Sequence, residues 1–241
     1  MINEISIGCS STNSKYGKRL DTAIVELNSK AKISGLFTSN KFKSAPVQIC
    51  LDQFKSKMSG KKLLIVNAGN ANAATGKKGI LDTKKLVKRI SDLSGVSSNQ
   101  ILPFSTGVVG ELLDMKSLMP AFEDCFKNLN KNSWSDFASA IMTTDTKIKL
   151  VRISKKIGTK KYNIIGVAKG VGMIEPNMAT TLSYIFTDLN LSQNSLNKLH
   201  KKICDRTFNA ISIDGDQSPS DSSILVSTGT NKINSKNKLK K

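Results

Sequence analysis

Residues 166–182 read GVAKGVGMIEPNMATTL. Small residues carry the chain out of an apolar run, and one proline, Pro176, interrupts the loop before Ala179, Thr180 and Thr181. Beyond them Leu182, Tyr184 and Phe186 recur at every second position, the period of a strand. An Ala-Thr pair thus stands where a loop becomes a strand. Threonine favours strands through its branched Cβ, and that explains the pair without any chemistry. The alternative is that the chain cuts itself between Ala179 and Thr180 and uses the new amino-terminal threonine as a catalyst.

A threonine hydroxyl is a poor nucleophile until a base takes its proton. The single histidine, His200, lies in LNKLHKKICDR, where Leu196, Leu199 and Ile203 repeat at helical spacing. His200 itself falls among lysines, so it is expected on a solvated helix face. A free α-amino group has an ordinary pKa of about 8 and suits the task. Thr180 must then be a chain terminus. Its hydroxyl would first attack the Ala179 carbonyl in an N-to-O acyl shift, and hydrolysis would complete the cut. Such a shift needs an oxyanion site.

Working outward, RLDTAIVEL and KLLIVNAGNANAATG read as strands, the second running into a loop of small residues. DTKKLVKRISDL places Leu86, Ile90 and Leu93 on one helical face, with Asp82 as the expected N-cap. QILPFSTGVVG reads as a strand and a Gly-rich loop. DMKSLMPAFEDCFKNL reads as a helix capped by Asp114, with Pro120 expected to kink or break it. SDFASAIMTTDT reads as a helix ending in polar residues. IKLVRISKKIG and KYNIIGVAKG form a hairpin around Gly158-Thr159, SQNSLNKLHKKICDRTF a helix, and AISIDGD and SSILVSTG short strands. Strands and helices mix without a βαβ repeat, which predicts an α+β or layered α/β fold. The end, TNKINSKNKLKK, carries five lysines and no acid, so residues 230–241 are expected to be disordered.

The chain has 241 residues, 37 Lys and Arg, 18 Asp and Glu, and a formal charge of +19, which by itself suggests a polyanion partner. Arginine, the usual reader of bases, occurs only at 19, 89, 152 and 206, and aromatics make up 5%, so nucleic-acid binding is not expected. No run of about 18 apolar residues suggests a membrane span, and residues 1–20 lack the pattern of a secretory leader. Cys9, Cys50, Cys125 and Cys204 lie far apart without zinc spacing, as reduced thiols of a cytoplasmic protein would.

Three loops are candidates for chemistry. Asn67–Gly76, NAGNANAATG, lets backbones approach closely, for a ligand or simply for packing. Ser105–Gly110, STGVVG, can aim N–H groups and the Thr106 hydroxyl at a developing oxyanion, as many ordinary turns can. In Gly166–Thr181, Lys169 either binds an anion or is one solvated lysine among many.

Taken in order, LFTSNKFKSAPV, NAGNANAATG, STGVVGE, MTTDT, GVAKGVGMIEPNMATTL and AISIDGDQSPSD resemble the ornithine acetyltransferase family, the glutamate N-acetyltransferases of arginine biosynthesis often called ArgJ. The resemblance runs from about residue 5 to about residue 230. It implies an αββα core related to the DmpA-like aminopeptidases, and self-processing into a region 1–179 and a second chain from 180. It implies that Thr180 takes the acetyl group of N-acetylornithine and passes it to glutamate in a ping-pong reaction. Thr106 and Gly107 match the family's oxyanion pair, and Thr143 and Lys169 its substrate contacts. It further implies no cofactor, acetyl-CoA as an optional acetyl donor, and an α2β2 heterotetramer. Family members are considerably longer, so the chain is expected to be incomplete at its C-terminus, a fragment or a natural short form, with Leu182, Tyr184 and Phe186 partly uncovered. The same fold acting as an amide hydrolase or aminopeptidase, an inactive fragment, and a basic binding protein without catalysis are the competing readings.

Overall fold

The structure, a computed structural model, describes residues 2, 4–130, 133–175 and 181–231. In chain order its elements are β1 (Ile5–Ser10), β2 (Thr22–Leu27), β3 (Lys32–Phe37), α1 (Ala45–Gln53), β4 (Lys62–Asn70), α2 (Gly76–Ser94), β5 (Ile101–Val108), α3 (Met115–Lys127), α4 (Trp134–Ala140), β6 (Lys149–Ile157), β7 (Lys160–Lys169), β8 (Leu182–Leu189), α5 (Gln193–Arg206) and β9 (Ser222–Asn231). Two sheets form, one ordered β1-β2-β4-β5 and the other β3-β9-β8-β7-β6. Pairing is antiparallel except for β4 with β5 and β8 with β9, which are parallel.

The alternation along each strand explains the layering. On one face of the first sheet Ile5, Ile7, Val25, Leu27, Leu64, Val66, Leu102 and Phe104 meet Ile165, Val167, Leu182, Tyr184, Phe186, Ile224 and Val226 of the second. The opposite face of the first sheet buries Ile24, Leu63, Ile65 and Ile101 against Leu86, Val87 and Ile90 of α2 and Leu118 and Phe122 of α3. Helix α5 lies over β3 and β9 of the second sheet. The order is helix, sheet, sheet, helix, the layered α/β fold that the sequence predicts. Trp134 and Phe137 of α4 stack edgewise or tilted on Phe186 and Tyr184, each pair 5.1 Å apart, and close one side of the sandwich.

Several expectations are corrected. Leu182, Tyr184 and Phe186 point between the sheets and are buried, because that face of β8 is covered by the first sheet. The uncovered side chains are on the other face: Val151, Ile153 and Ile164 are 57%, 52% and 39% exposed. His200 is not solvated. Helix α5 turns it onto the second sheet, where its ring nitrogens meet the hydroxyls of Ser34 (3.0 Å) and Ser223 (2.9 Å). Asp82 is not an N-cap; α2 starts six residues earlier, at Gly76, and Asp82 sits buried inside it, paired with Lys78. Helix α3 runs unbroken through Pro120, which faces solvent. Residues 211–216 form an irregular loop rather than a strand. Residues 230 and 231 belong to β9, and the expectation of disorder for the remaining 232–241 lies outside the described residues. No helix among the described residues is long and apolar enough to cross a membrane.

Candidate active site

Strands β4 and β5 run parallel and end together, with Gly69 opposite Gly107. Ser105 Oγ donates to Asn67 Oδ1 (2.6 Å) and Asn67 Nδ2 to Asn70 O (2.9 Å), tying the two ends. Gly107 has φ +133°, and a Cβ there would lie 2.3 Å from the Gly69 carbonyl carbon. A side chain is therefore excluded at 107 by both conformation and space. Thr106 and Gly107, expected in a loop, lie within β5 just before its end at Val108 and pair with β4.

The second sheet brings its own residues to the same end of the sandwich. Lys169 is the last residue of β7 and pairs with Leu182, the first of β8. Its ammonium donates to Thr106 Oγ1 at 3.0 Å. Both residues are about 5% exposed. Residues 63 apart in sequence, each singled out in the sequence, are thus in direct contact. Burial lowers the Lys169 pKa, and the carboxylates of Asp145 and Asp221 pull it back up.

Thr143 lies nearby, through Asp145. Asp145 Oδ2 accepts from Thr143 N–H (3.5 Å) and Oδ1 from Gly170 N–H (3.0 Å), and Oδ1 also pairs with Lys149. Burial works to raise the Asp145 pKa, but the Gly170 amide, Lys149 and Lys169 outweigh it and leave it lowered. Arg19 stacks on Tyr16 at 3.8 Å and donates to the carbonyls of Met142 (2.8 Å) and Thr143 (3.4 Å), which anchors this turn.

Two acids frame the segment that follows Lys169. Asp214 accepts the amides of Met173 and Ile174, and Ile213 N–H reaches Ile174 O at 2.8 Å. Asp221 precedes β9. Its Oδ1 accepts Thr181 N–H at 3.0 Å, while Ser222 N–H donates to Thr181 O at 3.1 Å. Ala179 and Thr180, the expected cleavage pair and nucleophile, lie outside the described residues. Sequence reasoning did not single out Asp145, Asp214 or Asp221. A signal was present: each is an acid in a loop of small and polar residues, within a chain where acids are outnumbered two to one.

Among the described residues no group of His, Cys, Asp and Glu is arranged to hold a metal ion. Cys50, Cys125 and Cys204 are buried, and burial raises their thiol pKa values, Cys125 to about 12, which makes them poor nucleophiles.

Known proteins share the sequence and the fold of this chain. The model of the ArgJ family matches residues 6–241. The arginine biosynthesis bifunctional protein ArgJ of Colwellia psychrerythraea is 42% identical over 237 residues, 95% of this chain and 56% of the relative. The chain therefore spans about half the length of the curated relatives it matches. The crystal structure of arginine biosynthesis bifunctional protein argJ from Bacillus halodurans superposes with a TM-score of 0.64 at 30% identity, covering 74% of this chain and 92% of that one. The L-aminopeptidase D-Ala-esterase/amidase of Ochrobactrum anthropi, a variant of the Ntn hydrolase fold, shares the fold at a TM-score of 0.51 and 12% identity, covering 94% of this chain and 72% of that one.

Proposed function

Because the chain belongs to the ArgJ family, we propose that it serves arginine biosynthesis as an acetyltransferase, moving the acetyl group of N-acetylornithine to glutamate through an acetyl-Thr180 ester. The observation that carries this reading is the buried contact of Lys169 with Thr106 at 3.0 Å. It gathers a hydroxyl, a cation and the closely packed pair Gly69 and Gly107 at the end of the sandwich where β7 leaves and β8 begins. A donor cluster held in a water-poor site can stabilise an oxyanion without reorganising. In this reading Thr106 and Gly107 receive the oxyanion of each tetrahedral intermediate. Lys169 orients the Thr106 hydroxyl and attracts the α-carboxylate that both amino-acid substrates carry. Thr143, fixed by Asp145 and Arg19, borders the substrate.

The cycle begins with a cut between Ala179 and Thr180. The freed α-amino group then accepts the Thr180 hydroxyl proton as the oxygen attacks the acetyl carbonyl. Ornithine leaves with a proton, glutamate enters, and the acetyl group passes to its amine. The mature protein would pair region 1–179 with a second chain from 180, as an α2β2 assembly in the cytoplasm. It would need no cofactor, with acetyl-CoA as a second donor. A purely hydrolytic, aminopeptidase-like reaction is favoured by fold alone.

Intact mass decides the first step. The wild-type protein should yield chains that part at Ala179–Thr180, and Thr180→Ala a single uncut chain. Thr106→Ala should slow both cutting and acetyl transfer by about 10²–10³. A Thr180→Ala chain cut at the same bond, or unchanged rates with Thr106→Ala, would remove the proposal.

A further inference from the structure

Thr143 and Lys169 sit on different parts of the chain, yet one side chain ties both of them down. Building on the reading above, we propose that Asp145 is a positioning residue for acetyl transfer: its carboxylate fixes the spacing of Thr143 and Lys169, and its charge keeps the Lys169 side chain an ammonium ion, ready for the α-carboxylate of either amino-acid substrate.

Position argues for Asp145. It stands in the loop between α4 and β6, and its side chain is only 1% exposed. Oδ1 accepts the Gly170 N–H at 3.0 Å, and Oδ2 accepts the Thr143 N–H at 3.5 Å. One rigid carboxylate thus joins the turn that carries Thr143 to the residue that follows Lys169. Both ends depend on such a hold. Pairing of β7 with β8 stops at Lys169, and Gly170 then turns the chain away at φ +148°. On the other side Arg19 grips the carbonyls of Met142 and Thr143, while Asp145 takes the Thr143 amide. An ionised acceptor makes a stronger bond to a backbone N–H than a neutral one, and burial strengthens it further. Lys149 holds the carboxylate in turn: it pairs with Oδ1 and lies in β6 directly opposite Ala168 of β7. The clamp is therefore built onto the hairpin that carries Lys169.

Charge argues the same way. Lys169 is buried, and burial favours its neutral amine. Asp145 and Asp221 oppose this, while the Lys149 ammonium acts with burial. The two acids are not equivalent. Burial pushes the Asp221 carboxyl up to about 8, against the opposing pull of the Thr181 amide, the Ser218 hydroxyl and Lys169, so it is mostly protonated at neutral pH. Burial also works to raise Asp145, but the Gly170 amide, Lys149 and Lys169 outweigh it and leave it below its ordinary value. Asp145 is therefore the acid that carries charge when Lys169 must. A neutral Lys169 would lose its attraction for a carboxylate and weaken its bond to Thr106 Oγ1.

The test reads Lys169 directly, by carbon-13 NMR of its side chain through a pH titration of the 241-residue chain, the signal being identified by its loss in Lys169→Arg. Asp145→Asn keeps the size of the side chain, removes its charge and sets an amide NH₂ against one of the two backbone N–H groups. Lys169 should then titrate at lower pH than in wild type, and Asp145→Glu should bring the midpoint back toward the wild-type value. A residue that only props up the loop would change the melting temperature and leave that midpoint alone. An unchanged midpoint in a folded Asp145→Asn protein therefore overturns the inference. Should Asp145→Asn fail to melt cooperatively, hydrogen exchange of the wild type decides. A protected Gly170 amide supports the clamp, and one that exchanges as fast as a free peptide overturns it. Kinetics tie the clamp to the reaction. In Asp145→Asn the KM for N-acetylornithine and for glutamate should each rise by about 10- to 100-fold, with a smaller fall in kcat. Unchanged KM values overturn the positioning role. A wild-type chain that transfers no acetyl group fails the reading above, whereas the Lys169 midpoint, measured without substrate, still judges Asp145.

Discussion

His200 illustrates how surroundings set the chemistry of a single residue. Sequence spacing puts it beside lysines, yet α5 turns it inward, and burial lowers its pKa to about 4. The unfolded chain, with an ordinary value near 6.5, takes up that proton more readily. His200 therefore stabilises the fold above about pH 6.5, and this contribution is lost as the pH falls through about 4. The shift corresponds to about 3 kcal/mol at most. Asp221, with a raised pKa, works in the opposite sense, its contribution being present at low pH and lost as the pH rises through about 8. Comparing wild type with His200→Gln isolates the histidine. Denaturant midpoints should show the variant less stable at pH 7 but losing less between pH 7 and pH 4.5. Equal losses in both proteins would show that His200 is not the titrating group. The same residue scale separates the candidate site into two kinds. Thr106, Gly107 and Lys169 stand out through the resemblance of their loops to a family, since composition alone leaves them ordinary. Asp145 and Asp221 stand in loops of small and polar residues, a hint that assigns no role, because an acid's role depends on which amide it meets across the sandwich.

At the scale of elements, pattern predicted the type of most segments and misjudged their limits. Thr106 was expected in a turn because glycine and threonine end apolar runs; pairing with β4 carries β5 through Val108 instead. Strands β1 and β3 and helix α1 escaped the sequence reading. They are short, and polar or small residues dilute their periodicity. Helix α3 shows packing overriding a local breaker. Pro120 costs the helix a backbone hydrogen bond, but Leu118, Ala121, Phe122 and Cys125 bury their side chains regardless. Pro120 lies on the solvent side, where water can reach the carbonyl it leaves free. Pro120→Ala should therefore stabilise the protein by about 2 kcal/mol, the helix gain reduced by the looser unfolded chain. A melting temperature that falls would mean that Pro120 makes a contact the helix needs.

Over the whole molecule, two sheets share one core and differ in how their outer faces are treated. Helices α2 and α3 cover the first sheet, while α5 covers only the β3–β9 side of the second. Val151 and Ile153 of β6 and Ile164 of β7 remain on an open face, with Ile153 directly opposite Ile164 and Val151 opposite Gly166. Contiguous exposed apolar surface promotes association. The 241-residue chain should self-associate as concentration rises, measured by light scattering. Val151→Thr, Ile153→Thr and Ile164→Thr together should suppress this while leaving the melting temperature within a few degrees, since these side chains are largely exposed already. Association unchanged by the triple substitution would place the sticky surface elsewhere.

Sequence by itself determined the class of fold, because hydrophobic period depends only on local geometry: two residues for a strand, 3.6 for a helix. It also determined family membership, through loops whose small residues and threonines stand in a fixed order. Which face of β8 is buried, which acid meets Thr181, and whether His200 sees water were decided only by tertiary structure. Each depends on what a distant segment brings to the opposite side. Ser34 and Ser223 reach His200 from 166 and 23 residues away, and Lys169 reaches Thr106 from 63. No local pattern encodes such a meeting; the closing of two sheets over one core creates it.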